Sequence, residues 1–151
     1  MTAKNVTLAE LQDLVGQELG PCEAREITQD QVNTFADATG DHQYIHVDPE
    51  RAAEGPYGTT IAHGFLTLSL TLPMFAEILE VTDVSAKINY GLEKVRFPSP
   101  VKVGERVSMT SVVADVKEIE GGVQLEVDNA VTAEGASKPA VAARSVLRFY
   151  S

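Results

Sequence analysis

The stretch HGFLTLSLTLPMFAEILE, His63–Glu80, constrains the fold more than any other part of the chain. From Gly64 to Leu79 it is apolar on nearly every side. Leu66, Leu68, Leu70 and Leu72 alternate as in a strand, but strands usually run about 4–8 residues, so the length predicts a helix. A helix that is apolar all round has to be buried all round. The rest of the chain must therefore wrap it.

The means to do so follow after Asp83, where the hydrophobic period changes to two. INYGLEKVRF, ERVSMTSVVADVKEI, GVQLEVDNAVTAE and AVAARSVLRFY all read as strands. Gly121-Gly122 is expected to join the second and third as a hairpin. Val123, Leu125, Val127 and Val131 share one face, and Gln124, Glu126, Asp128 and Thr132 the other. Asn129 interrupts the apolar face and needs a hydrogen-bond partner if buried, on the central helix or on a partner chain. Helices come first: TLAE at Thr7–Glu10 and TQDQ at Thr28–Gln31 fit the capping box. The first opens a helix to about Val15. The second opens one that stops near Gly40, a good C-terminal residue. An early strand is expected over Pro21–Ile27. Asp48 caps a helical turn with Pro49 in first position, and Gly55 ends it. This order predicts a single α+β domain over residues 1–151, an antiparallel sheet wrapped around a long central helix.

Composition narrows the function classes. The chain carries a formal net charge of −10, which argues against general nucleic-acid binding, since phosphate contacts need clustered Lys and Arg. No segment reaches the ~20 apolar residues of a membrane helix, because Pro73 and Glu77 break the longest run. MTAKNVTLAE has no signal-peptide-like apolar run. The one cysteine, Cys22, allows neither an internal disulfide nor a Cys-based zinc site and reads as a small packing residue. A cytoplasmic setting is expected.

The chemistry-bearing stretch is GDHQYIHVDPERA, Gly40–Ala52, which holds two of the three histidines. Asp41 and His46 follow a helix end, and five loop residues let both side chains face one pocket. A carboxylate and an imidazole within reach of one water form an acid–base pair. That pair suits adding water to a double bond, removing it, or hydrolysing an ester; an aspartate-rich loop that only caps and turns has the same spacing. TTIAHGF places His63 and Gly64 at the entrance to the central helix. The free N–H groups there favour a developing oxyanion, and Gly64 leaves room for a carbonyl to approach. His63 otherwise only hydrogen-bonds near a helix start. Asp41, His46 and Asp48 as metal ligands match no compact spacing, and Asp48 reads as the cap. His42 is expected at the surface.

GDHQYIHVDPERA followed by GTTIAHGFLTLSL resembles the MaoC-like (R)-specific enoyl-CoA hydratases, most of all their NodN-like branch, and VRFPSPVKVGERV extends the resemblance. The resemblance implies the hot-dog fold and a homodimer with adjoining sheets. It implies hydration of trans-2-enoyl-CoA thioesters, with Asp41 and His46 as the catalytic pair and the Gly64 N–H polarising the thioester carbonyl. No metal or cofactor is implied, coenzyme A being part of the substrate. Many members read Asp-x-Asn-Pro-x-His where this chain has Gln43-Tyr44, so the pocket shape is expected to differ. Further candidates for substrate contact are Gln43, Tyr44, Tyr57, His63, Ser69 and Arg96. Arg96 leads a basic cluster with Lys94, Lys102 and Arg106 that would meet the phosphates of coenzyme A, or simply line a solvated strand edge. A thioesterase on the same fold, and a non-catalytic acyl-binding or partner subunit, are the competing functions. Hot-dog thioesterases usually carry an acid on the central helix, where this chain has none before Glu77.

Overall fold

The computed structural model describes residues 3–151. Four long strands form the body of the sheet: β5 Ala86–Arg96, β6 Arg106–Ile119, β7 Gly122–Ala133 and β8 Val141–Tyr150. All pair antiparallel in the order β6-β7-β8-β5. Two short strands, β2 Glu18–Leu19 and β3 Arg25–Glu26, both pair with β6. Of the strand expected over Pro21–Ile27 only β3, Arg25–Glu26, forms, and β2 lies before that range. The β6–β7 turn falls one residue earlier than expected, on Glu120-Gly121, with Gly121 at φ +80°. Gly122 already pairs with Ile119, and a Cβ there would run into the Phe149 carbonyl oxygen of β8. A glycine is thus needed on both sides of the turn's end, for two different reasons. An additional parallel pair, β1 Lys4–Val6 with β4 Leu79–Val81, was not legible from the period.

The sheet buries one face. Val107, Met109 and Val113 of β6, Leu125, Val127 and Val131 of β7 and Val141 of β8 are all fully enclosed. The helical layer supplies Leu66, Met74, Phe75 and Ile78 to the same core. Burying side chains of this size contributes about 1.5–3 kcal/mol each, which holds the layers together.

The central helix is not continuous. It comprises α4, Gly64–Ser69, and α5, Thr71–Ile78, with a break at Leu70. Pro73 has no N–H to return to the Ser69 carbonyl, and its ring crowds that turn. Ser69 and Thr71 hydroxyls donate back to the Leu66 and Leu68 carbonyls, both at 2.7 Å, which favours the bend. Nor is this helix buried all round: Phe65 is 69% exposed and Leu72 38%. The reason is that the sheet covers one side only. On the edge strand β5 and just after it, Ile88, Tyr90, Leu92 and Phe97 are exposed as well.

Before the central helix come a 3-10 helix, Leu8–Leu14, with the expected capping box, and three further helices. These are α1 Gln29–Thr39, α2 Tyr44–Val47 and α3 Pro49–Ala53. Asp48 caps α3 through the Arg51 N–H, as its sequence suggested. Cys22 is buried and its sulfur accepts from the Met109 N–H. Asn129 satisfies itself within the sheet: it accepts from Ser111 on β6 and donates to Ser145 on β8, rather than reaching the helix or a partner. No helix among the described residues is long and apolar enough to cross a membrane.

Candidate active site

Asp41 and His46 are brought together by the way α1 stops. The Thr28 hydroxyl caps the helix at the Gln31 N–H. Gly40, at φ +86°, ends it in the left-handed conformation that only glycine adopts freely. The chain then reverses into the single turn of α2, which carries His46 into the interior while Asp41 stays at the exposed rim. The His46 Nδ1 lies 2.7 Å from the Ile61 carbonyl oxygen. A carbonyl only accepts, so Nδ1 carries the proton and the neutral ring presents a bare Nε2. Burial pushes the His46 imidazole below its ordinary range; the Ile61 carbonyl opposes this, nearby His63 adds to it, and Asp41 opposes it.

His63 completes the cluster. It is 2% exposed, its Nε2–H donates to the Asp41 backbone carbonyl at 3.0 Å, and its ring stacks on His46 at 3.8 Å. Phe35 of α1 closes the other side at 4.8 Å. Asp41, His46 and His63 each offer an atom within 4.8 Å of the others. As a metal site this trio is poorly arranged. The two rings are only 23° from parallel, so their lone pairs run side by side, whereas a cation about 2.0–2.1 Å from each nitrogen needs them to converge. Asp48, spent on its cap, takes no part.

His46 lines a cleft of about 350 Å³ together with Gly64, Tyr57, Thr67 and Phe97. Gly64 opens α4, so its N–H has no acceptor within the helix. A Cβ at Gly64 would meet three atoms of the Phe97 ring at 3.2 Å, so a side chain here would force that ring to move.

The other candidates separate. Tyr57 lines the cleft, and His63 lies beneath it, against His46. Gln43 is exposed at the start of α2, and Tyr44 is turned away under Arg51, whose guanidinium sits 4.0 Å over its ring. Neither lines the cleft. Ser69 is exposed and spends its hydroxyl on Leu66; the hydroxyl residue in the cleft is Thr67, three positions after Gly64 and so on its side of the helix. That spacing was the available signal. Arg96 donates to its neighbour Val95 and lies with Lys94 in a separate groove of the sheet, among Glu93, Glu126, Asp128 and Arg144. Lys102 and Arg106 also stand outside the cleft, Arg106 held by the Ala24 carbonyl. The basic cluster is thus a feature of the sequence, not of the site. His42 is at the surface, where the Asp37 carboxylate raises its pKa. Glu77, the one acid of the central helix, is paired with Arg25 at 2.6 Å and away from the cleft.

Comparison with known proteins gives the family. Residues 10–135 match the family model of the MaoC like domain. The chain is 51% identical over 144 residues to the 3-hydroxyacyl-thioester dehydratase Z of Mycobacterium tuberculosis, covering 95% of each. It is 45% identical to nodulation protein N of Rhizobium meliloti, covering 91% of this chain and 88% of that one. An R-hydratase from Pseudomonas aeruginosa in its unliganded form superimposes with a TM-score of 0.75 at 26% identity, over 99% of this chain and 88% of the other. The chain belongs to the MaoC-like hot-dog dehydratase family, in its NodN-like branch.

Proposed function

We propose that this protein hydrates trans-2-enoyl-CoA thioesters to (R)-3-hydroxyacyl-CoA, and catalyses the reverse dehydration. One observation carries the reading: His46, its Nδ1 committed to Ile61, lines the same cleft as Gly64, with the Asp41 carboxylate beside it. The thioester carbonyl accepts from the Gly64 N–H, which stabilises the enolate-like charge of the transition state. One such donor is worth about 2.7–4 kcal/mol. A water held by Asp41 gives a proton to His46 Nε2 as its oxygen bonds to C3. The imidazolium returns that proton to C2 on the same face, so water adds across the double bond with no net change in the enzyme. His63 holds the Asp41 backbone and packs under His46. Tyr57 and Thr67 shape the cleft. No step draws on a cofactor.

The working unit is a homodimer. Strand β5 leaves an 11-residue edge unpaired, beside exposed Phe65, Leu72, Ile88 and Leu92. A long apolar edge strand is a template for pairing with another chain, and a patch of this kind marks an interaction surface. The setting is cytoplasmic, where a lone thiol such as Cys22 stays reduced.

Hydration of crotonyl-CoA, followed by loss of enoyl absorbance, tests the reading. Asp41→Asn and His46→Gln are each expected to lower kcat by about 10²–10⁴-fold with unchanged circular dichroism. Near-normal turnover in either folded variant removes that residue from the mechanism. Release of free thiol instead of hydration would assign the cleft to ester hydrolysis.

A further inference from the structure

We propose that Gln29, on the first turn of α1, is a positioning residue that holds His46 in register with the carbonyl that orients its ring. The proposal rests on His46 being the base of the reaction. Gln29 does not line the cleft, and both its amide N–H groups and its oxygen are bonded. One N–H donates to the His46 backbone carbonyl at 2.7 Å and the other to Asn33 Oδ1 at 3.0 Å. Its oxygen accepts from the Thr60 hydroxyl at 2.6 Å. The His46 carbonyl can only accept, so the amide nitrogen must face it, and the amide has one workable orientation.

These contacts close a frame. Thr60, 2% exposed, directly precedes Ile61, whose carbonyl receives the His46 Nδ1–H. The Ile61 N–H donates to the Ile45 carbonyl at 2.9 Å. Segments 45–46 and 60–61 are therefore linked through Ile61, by its N–H and its carbonyl, and a second time through Gln29. The second link matters because α2 is a single turn of four residues. A helix that short has no stability of its own and lies where tertiary bonds hold it. Without Gln29, α2 is tied to 60–61 only through Ile61, and the direction of Nε2 is less tightly fixed. Misplacement by about 1 Å is enough to cost on the order of 100-fold in rate.

The test uses Gln29→Met, which removes all three bonds at similar volume. It also uses Gln29→Glu, which keeps the shape but turns an acceptor toward the His46 carbonyl. Two readouts are taken on folded protein: steady-state hydration of crotonyl-CoA, and the ring-nitrogen NMR signals of His46, assigned by their loss in His46→Gln. The expected result in both variants is a kcat lower by about 10–100-fold with KM within about twofold. The His46 signals should lose their Nδ1–H tautomer bias and titrate closer to the ordinary imidazole range. A merely structural role would lower the melting temperature and leave both the tautomer and the kcat of the folded fraction in place. If Gln29→Met does not fold, Gln29→Glu decides alone. Wild-type turnover, or unchanged His46 signals, in the folded variant overturns the proposal. If the wild-type protein does not hydrate enoyl thioesters, the reading of function fails, and the NMR signals alone then decide whether Gln29 sets the His46 ring.

Discussion

Replacing Asn129 with leucine should destabilise the protein through the two serines it leaves behind. Ser111, Asn129 and Ser145 lie on the adjacent strands β6, β7 and β8, at 0%, 5% and 3% exposure. Asn129 accepts from Ser111 at 2.6 Å and donates to Ser145 at 3.1 Å. Leucine has the branching and heavy-atom count of asparagine, so the effect worked out here is that of two hydroxyls stranded in the core. At about 1–3 kcal/mol for each stranded group, the loss is about 2–6 kcal/mol. For a chain of this length that is a fall in melting temperature of roughly 5–20 °C. Removing every partner at once is a different matter. The triple variant Ser111→Ala, Asn129→Leu, Ser145→Ala has no unpaired group left and should recover most of the loss, since an apolar replacement of both partners is often near neutral. Urea titrations followed by far-UV circular dichroism, at one fixed protein concentration, measure all three proteins. The reasoning fails if the single variant lies within about 1 kcal/mol of wild type, or if the triple variant is no more stable than the single.

Three further outcomes are expected. Because burial holds the His46 pKa below its ordinary 6.5, the acid limb of kcat/KM for hydration should fall below that value; a limb at or above it contradicts a buried neutral base. The same shift has a stability sign: above about pH 6.5 the imidazole is neutral in both states. As pH falls through the ordinary imidazole range the unfolded chain binds the proton first, so stability is lost until the folded ring also protonates. His42 has the opposite sign, its raised pKa adding stability at low pH that fades as pH rises through the folded value, and His46→Gln should remove only the first effect. Separately, Leu92→Asp on the exposed β5 edge should convert a dimer into monomers in sedimentation velocity at micromolar concentration, with a parallel fall in activity. A wild-type protein that sediments as a monomer there removes the dimer from the reading.

The sequence made the sheet legible because period two runs through the long strands, and the buried residues follow it over most of β6, β7 and β8, while the edge strand β5 buries no face. Asn129 was visible as an interruption for the same reason. The break in the central helix was written in Pro73, but a nearly continuous apolar run hid which side would stay uncovered. That depends on where the sheet ends, and no local pattern says that β5 is the edge. Arg96 and Lys94 looked like one basic cluster with Lys102 and Arg106 because neighbours in sequence were read as neighbours in space. In the structure, the strand and the turn after it send them apart.

At the site, composition named the groups but not their states. Asp41 and His46 stand out because an acid and an imidazole five positions apart follow a helix stop. Which nitrogen of His46 is bare is decided elsewhere, by the Ile61 carbonyl 15 residues on. The His46 backbone is in turn bonded by a glutamine side chain 17 residues before it, which also holds Thr60, the residue preceding Ile61. Backbone carbonyls are present at every residue, and bonds from side chain to backbone leave no periodic trace. The directing half of an acid–base pair is therefore invisible in sequence even when the reacting half is plain. It follows that substitutions at Gln29 or Thr60, positions with no chemistry of their own, should report on the direction of the imidazole more selectively than changes at the exposed Gln43.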